Sequence, residues 1–183
     1  MAPKTETLSA AIPEDVEHDV YRLLKAICDA ELKLVTAESC TGGLLASLLT
    51  DVDGCGHAFE RGFVTYTDEA KHEMLGVDAG LLKDKGAVSK EVAIAMAEGA
   101  LARSGGDIAL SVTGFAGPAG DDDEEGLVHF GLARKHGETL HREEHFGACG
   151  RGEVRLKSLR AALKMLDEAL PPLGGSVTSA PAA

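Results

Sequence analysis

The sequence predicts an α/β protein: a three-layer α/β/α sandwich, with helices packed on both faces of a mixed central sheet. Three observations predict it. Helical and strand periodicities mix along the whole chain instead of separating into blocks. Residues 107–113 alternate, with Ile108, Leu110 and Val112 on one side and Ala109, Ser111 and Thr113 on the other. Hydrophobic residues make up 44% of the 183, with no Trp, so the core between the layers is expected to be aliphatic.

The elements follow in order. Pro13 with Glu14 and Asp15 opens a first helix, because proline suits the first turn and acids complement the helix dipole there. Val16, Val20, Leu23, Leu24 and Ile27 form its apolar stripe. Residues 33–37 read as a strand, 43–49 as a helix and 62–66 as a second strand. "DEAKHEMLG" reads as a short helix ended by Gly76. Ser89 is an N-cap with Glu91 in the first turn, and the helix it opens buries Val92, Met96 and Ala100. After the strand at 107–113 come two more, 127–133 and 139–146, joined as a hairpin through Lys135, His136 and Gly137. Leu159, Leu163, Leu166 and Leu170 mark a last helix. Residues 13–170 are expected to form one domain between frayed tails at 1–12 and 171–183.

Charge and composition exclude whole classes of function. A net charge of −12 argues against a nucleic-acid binder, which needs a basic face. No apolar run is long enough to span a bilayer, and the N-terminus lacks the apolar core of a signal peptide. The expectation is a cytoplasmic protein with no membrane partner. Cys28, Cys40, Cys55 and Cys149 are scattered, with no CxxC pair, and read as free thiols.

Two signals resemble metal sites and are set aside. "HREEH" at 141–145 matches the H-x-x-E-H pattern of a zinc peptidase, which needs a helix. On the strand expected here, His141 and His145 would stand roughly 13 Å apart, too far to share one zinc. "DDDEEG" at 121–126 fails as a calcium loop because its twelfth position is Leu132. The other histidines show no ligand spacing, so no metal is expected.

"TAESCTGG", residues 36–43, lies where a strand hands over to a helix. Such a turn lifts a side chain clear of the sheet, and the N–H groups of the following helix start can hold an anion. Gly42 and Gly43 allow a ligand close to the backbone. Ser39 is therefore a candidate nucleophile, with Cys40 its competitor, against the plainer reading of a glycine-rich structural turn. The segment is neither a G-x-S-x-G elbow nor part of an S-x-x-K pattern.

Three further blocks follow in order: "RGFVTYTDEAKHEMLGV", "GAVSKEVAIAMAEGALARS" and "VTGFAGPAG". With "TAESCTGG" they resemble the C-terminal domain of the competence-damage protein CinA, the family of stand-alone nicotinamide-nucleotide amidases. The resemblance covers residues 13–170. It implies a three-layer α/β/α sandwich and hydrolysis of nicotinamide mononucleotide to nicotinate mononucleotide and ammonia, with no cofactor. It places the family's serine on Ser39, its tyrosine and lysine on Tyr66 and Lys71, and the threonine of its second glycine-rich loop on Thr113. Cys40, Thr41, Gly42, Gly114 and Arg151 join these as expected substrate contacts, the arginine because its planar fork suits a phosphate. Arg155 belongs to the same basic stretch. Lys71 would be the base, Tyr66 a proton relay, and N–H groups near residues 40–42 part of an oxyanion hole; Glu38 is given no chemical step. A homo-oligomer is compatible with the sequence.

Two positions depart from the family pattern. Its usual "YSNEAK" asparagine is Asp68, which favours a charged Lys71. The loop after "GFAGP" is acidic and lacks the usual Lys-Pro. The rival reading is therefore a CinA-like domain that binds a nucleotide or protein partner without turnover.

Overall fold

The computed structural model describes residues 12–118, 120 and 123–170. The expected tails, Ile12 apart, lie outside the described residues. Five strands form one sheet: β1 (Leu34–Glu38), β2 (Phe59–Val64), β3 (Ile108–Gly114), β4 (Leu127–Arg134) and β5 (Leu140–His145). Their order is β2-β1-β3-β4-β5. β1 runs parallel to β2 and β3, while β4 is antiparallel to both β3 and β5, so the sheet is mixed.

Six helices cover it: α1 (Glu14–Asp29), α2 (Leu44–Leu48), α3 (Asp68–Leu75), α4 (Ala79–Lys85), α5 (Lys90–Ala102) and α6 (Arg151–Ala169). Two apolar clusters show which face each takes. Leu34, Ile108, Leu110, Val112, Val128, Phe130 and Leu132 pack with residues of α1, α2 and α6. Val35, Ala37 and Ala109 pack with Leu75, Val77, Leu82, Val92, Met96 and Ala100, which come from α3, α4, α5 and their links. The core is aliphatic apart from Phe130 and a few partly buried rings. This is the three-layer arrangement expected from the sequence.

The predicted stripe of α1 is buried at every named position. The alternation of β3 does not mark a wet face, because both of its faces are covered and Ala109, Ser111 and Thr113 are buried too. β2 starts three residues earlier than expected, at Phe59, and stops at Val64. Helix α4 was not anticipated; its N-cap Asp78, which accepts from Leu81 N–H, and Gly86 just past its end were the available signals. Gly76 ends α3 in the left-handed region as expected (φ 70°).

The sheet changes direction at β1. The chain leaves β1 through α2 to reach β2 on one side, then crosses back through α3, α4 and α5 to reach β3 on the other. In open α/β sheets, ligands bind at such a switch point, outside the carboxyl ends of the strands. Ser39 follows the last residue of β1 at that point.

Candidate active site

Strand alternation decides which way the motif's side chains face. Val35 and Ala37 belong to the α3–α5 side and Leu34 to the α1–α2–α6 side. Glu38 therefore points toward α2 and Ser39 toward α3. The carboxylate of Glu38 accepts from the N–H groups of Gly43 (3.1 Å), Leu45 (3.1 Å) and Ala46 (2.8 Å). This fully buried acid caps the start of α2 and satisfies donors that would otherwise be orphaned. The helix start is thus filled by the protein's own carboxylate and is not the anion holder the sequence suggested. Gly42 N–H is also engaged, by Ser39 C=O at 3.1 Å. Among the described residues the Thr41 N–H has no acceptor, and the Cys40 N–H meets only its own thiol.

Ser39 lies beside Lys71. The Lys71 Nζ atom is 3.2 Å from Ser39 Oγ, 3.1 Å from the Thr65 carbonyl and 3.4 Å from the Tyr66 carbonyl. Lys71 is fully buried on α3, one turn before Leu75, so amine and leucine share the inward stripe of that short helix. Burial pushes the Lys71 pKa below the ordinary lysine value; the nearby Asp68 carboxylate, and more weakly Cys40, pull the other way without cancelling it. The expected effect of Asp68 is present, and burial outweighs it. A neutral amine has two N–H donors and one lone pair. In the charged form Nζ donates to Ser39 Oγ and to both carbonyls; in the neutral form the two donors serve the carbonyls and the lone pair can accept from the serine hydroxyl.

Cys40 is buried, and its thiol is pushed up to about 12, chiefly by desolvation. At neutral pH it is a poor nucleophile. Its carbonyl accepts from Arg155 Nε at 2.9 Å, which ties α6 to the turn. Gly42 has φ 63°, and a side chain there would meet the Arg155 guanidinium at 3.4 Å. The left-handed φ, more than room for the arginine, is what favours glycine there; neither Gly42 nor Thr41 lines the cleft.

The cleft itself, about 250 Å³, is lined by Ser39, Cys40, Tyr66, Lys71, Thr113, Gly114, Arg151 and the segments at 87–88 and 115–118. In the β1/β3 register Glu38 pairs with Val112, so Thr113 is the next neighbour of Ser39 at the strand ends. The Thr113 hydroxyl donates to Ala87 C=O at 2.7 Å, anchoring the loop before α5 against β3. Arg151, the first residue of α6, lies across Gly117: a Cβ there would be 2.3 Å from Arg151 Nη2. The bare glycine lets the guanidinium reach the cleft. The Tyr66 ring is 65% exposed at the rim. Its carbonyl, not its phenol, meets Lys71, and the direct contact between Ser39 and Lys71 needs no relay.

Of the residues expected from sequence, the structure therefore brings together Ser39, Cys40, Tyr66, Lys71, Thr113, Gly114 and Arg151, and leaves out Thr41 and Gly42. The carbonyls of Thr65 and Tyr66 and the capping role of Glu38 were missed. Backbone acceptors carry no sequence signal, but an acid five residues before a helix-opening glycine is a legible one.

Fold and site together define an α/β/α sandwich carrying a buried serine–lysine pair at its switch point. The chain belongs to the CinA C-terminal domain family, whose model matches residues 15–170. It is 54% identical over 115 residues to a CinA-like protein of Akkermansia muciniphila, covering 62% of this chain and 28% of that protein. It is 46% identical over 136 residues to the nicotinamide-nucleotide amidohydrolase PncC of Enterobacter agglomerans, covering 73% of this chain and 80% of that one. Thus the chain spans under a third of the Akkermansia relative but most of the amidohydrolase. Among solved structures, the competence/damage inducible protein CihA of Agrobacterium tumefaciens superposes with a TM-score of 0.84 at 44% identity, covering 87% of this chain and 98% of that one. A CinA superfamily protein of Escherichia coli gives 0.80 at 35% identity, covering 91% and 96%.

Proposed function

We propose that this protein is an amidase that hydrolyses nicotinamide mononucleotide to nicotinate mononucleotide and ammonia in pyridine nucleotide salvage. One observation carries the reading: a buried amine, its pKa lowered by desolvation, lies 3.2 Å from the Ser39 hydroxyl at the floor of a cleft. The amidohydrolase named above, which the chain matches over most of its length, directs the choice of amide.

The steps balance through one shuttled proton. Ser39 Oγ attacks the carboxamide carbon and passes its proton to Lys71 Nζ. The carbonyl oxygen becomes an oxyanion, received by the N–H of Cys40, which lines the cleft beside Ser39. The Lys71 ammonium returns the proton to the nitrogen as the C–N bond breaks, ammonia leaves, and a nicotinoyl ester stays on Ser39. Water then attacks the ester, again giving its proton to Lys71, and the acid and the free serine are restored. Arg151 meets the phosphate of the nucleotide across Gly117, and Tyr66 closes the rim over the ring.

The test is ammonia release from purified protein supplied with nicotinamide mononucleotide, alongside Ser39→Ala. Release by the wild type and none above background from the variant is expected. Nucleotide binding without release by the wild type would establish the rival reading, a CinA-like binding domain.

A further inference from the structure

The "HREEH" segment does lie on a strand, β5, and its two histidines do not converge on one point; a third histidine from β4 takes the place of the distant one. The β4/β5 register sets His129 opposite Glu143 and Gly131 opposite His141. Gly131 and His129 alternate onto the same face, the one covered by α5, so His129, His141 and Glu143 share it. His129 Nδ1 is 3.1 Å from His141 Nε2 and 3.4 Å from Glu143 Oε2. The three donor atoms all lie within 4.8 Å of one another.

We infer that His129, His141 and Glu143 form a binding site for a divalent transition-metal ion of the zinc class. Ligand atoms at tetrahedral positions on zinc, with arms of roughly 2.0–2.1 Å, stand about 3.3 Å apart. The two short separations here match that edge. Two imidazoles and a carboxylate are donors zinc accepts, and with three protein ligands a fourth position is left for water. Glu143 is half exposed, so that position opens toward solvent, while His129 is buried against the sheet.

The surroundings orient the donors as an outer shell does. Glu143 Oε1 receives His145 Nε2 at 2.9 Å, and His145 Nδ1 meets Glu124 Oε1 at 2.8 Å. His145 lies against Glu143 Oε1, which leaves Oε2, the oxygen nearer His129, for the ion. From α5, Glu91 faces both ring histidines and Lys90 faces His141. Binding an ion requires His129 Nδ1 and His141 Nε2 to be unprotonated, each ring carrying its proton on the outer nitrogen. His129 pairs across β4/β3 with Thr113, so the ion would pin edge strand β5 one strand away from the cleft.

The experiment is a Co²⁺ titration of chelator-stripped protein, followed by visible absorption, with Zn²⁺ competition and a melting curve. One equivalent of Co²⁺ with tetrahedral intensity, displaced by Zn²⁺, is expected, and Zn²⁺ raises the melting temperature. His141→Ala loses that equivalent; Glu143→Gln, an isosteric change on an exposed strand, weakens it by about tenfold or more; His57→Ala leaves it intact. No saturable binding by the wild type overturns the inference. So does equal binding by wild type and Glu143→Gln, which decides the matter if His141→Ala fails to fold. A thiolate-to-cobalt charge-transfer band would place the ion at a cysteine, such as Cys28, whose Sγ lies 3.3 Å from His57 Nε2, and overturn it equally.

Discussion

In the proposed reaction Lys71 is the base, and its pH behaviour has a definite sign. Burial lowers its pKa from 10.5, so the neutral, proton-accepting form gains population as pH rises, within a window below the ordinary lysine value. Ammonia release should rise with pH along that limb. Lys71→Arg, which stays protonated, should remove the limb and cost at least about a hundredfold in kcat, measured across a pH–rate profile. Cys40 tests the choice of nucleophile from the other direction. Buried and pushed up to about 12, it should escape alkylation in the native protein, whereas exposed Cys149 reacts, as mass spectrometry of iodoacetamide-treated protein would show. Cys40→Ala should keep most of the activity that Ser39→Ala loses.

At the scale of elements, two short segments hold the site, and each rests on one contact that sequence periodicity does not reveal. α2 is five residues long and starts at a carboxylate supplied by the preceding strand. Removing that carboxylate leaves three N–H groups without their acceptor. Glu38→Ala should cost about 2–3 kcal/mol, read by urea denaturation, with Glu38→Gln costing less because one amide oxygen still accepts. The loop at 114–118 meets the first turn of α6 where Gly117 has no side chain to stand in the way of Arg151. Gly117→Ala should push the guanidinium aside, raising KM for the mononucleotide several-fold while the melting temperature changes little. A structural role for that glycine would instead lower the melting temperature.

Across the whole molecule, acidic charge and a local basic site coexist. The net charge of −12 opposes polyanions, while Arg151 places one guanidinium at the cleft, where the proposed substrate would bring a single phosphate. Labelled DNA should show no salt-dependent shift under conditions where the mononucleotide binds. Among the described residues, no helix is long and apolar enough to cross a membrane. The sheet that carries the site is buried on both faces at its centre, so the frame is stiff where the strand ends must hold Ser39 and Thr113 side by side. Phe130→Ala in that centre should destabilise by about 3–5 kcal/mol, because a fully buried ring on β4 leaves a cavity between two layers.

Much of this was legible along the chain. The stripes of α1 and α5, the caps at Ser89 and Gly76, the β4–β5 hairpin and the turn at Ser39 are all patterns within a few residues, and such patterns are local by nature. Ordered family blocks then marked Lys71, which its helix alone would leave as an ordinary solvated charge. What local pattern could not decide was which distant atoms meet. Ser39 and Lys71 are separated by 32 positions, and their contact exists because strand alternation turns Ser39 to the α3 face while α3 packs there with Lys71 inward. The same register sends Glu38 to the opposite face as a cap, removes Thr41 and Gly42 from the cleft, and seats His129 opposite Glu143. Residue order determines periodicity; the pairing of faces is decided only when segments remote in sequence bury their apolar sides against one another.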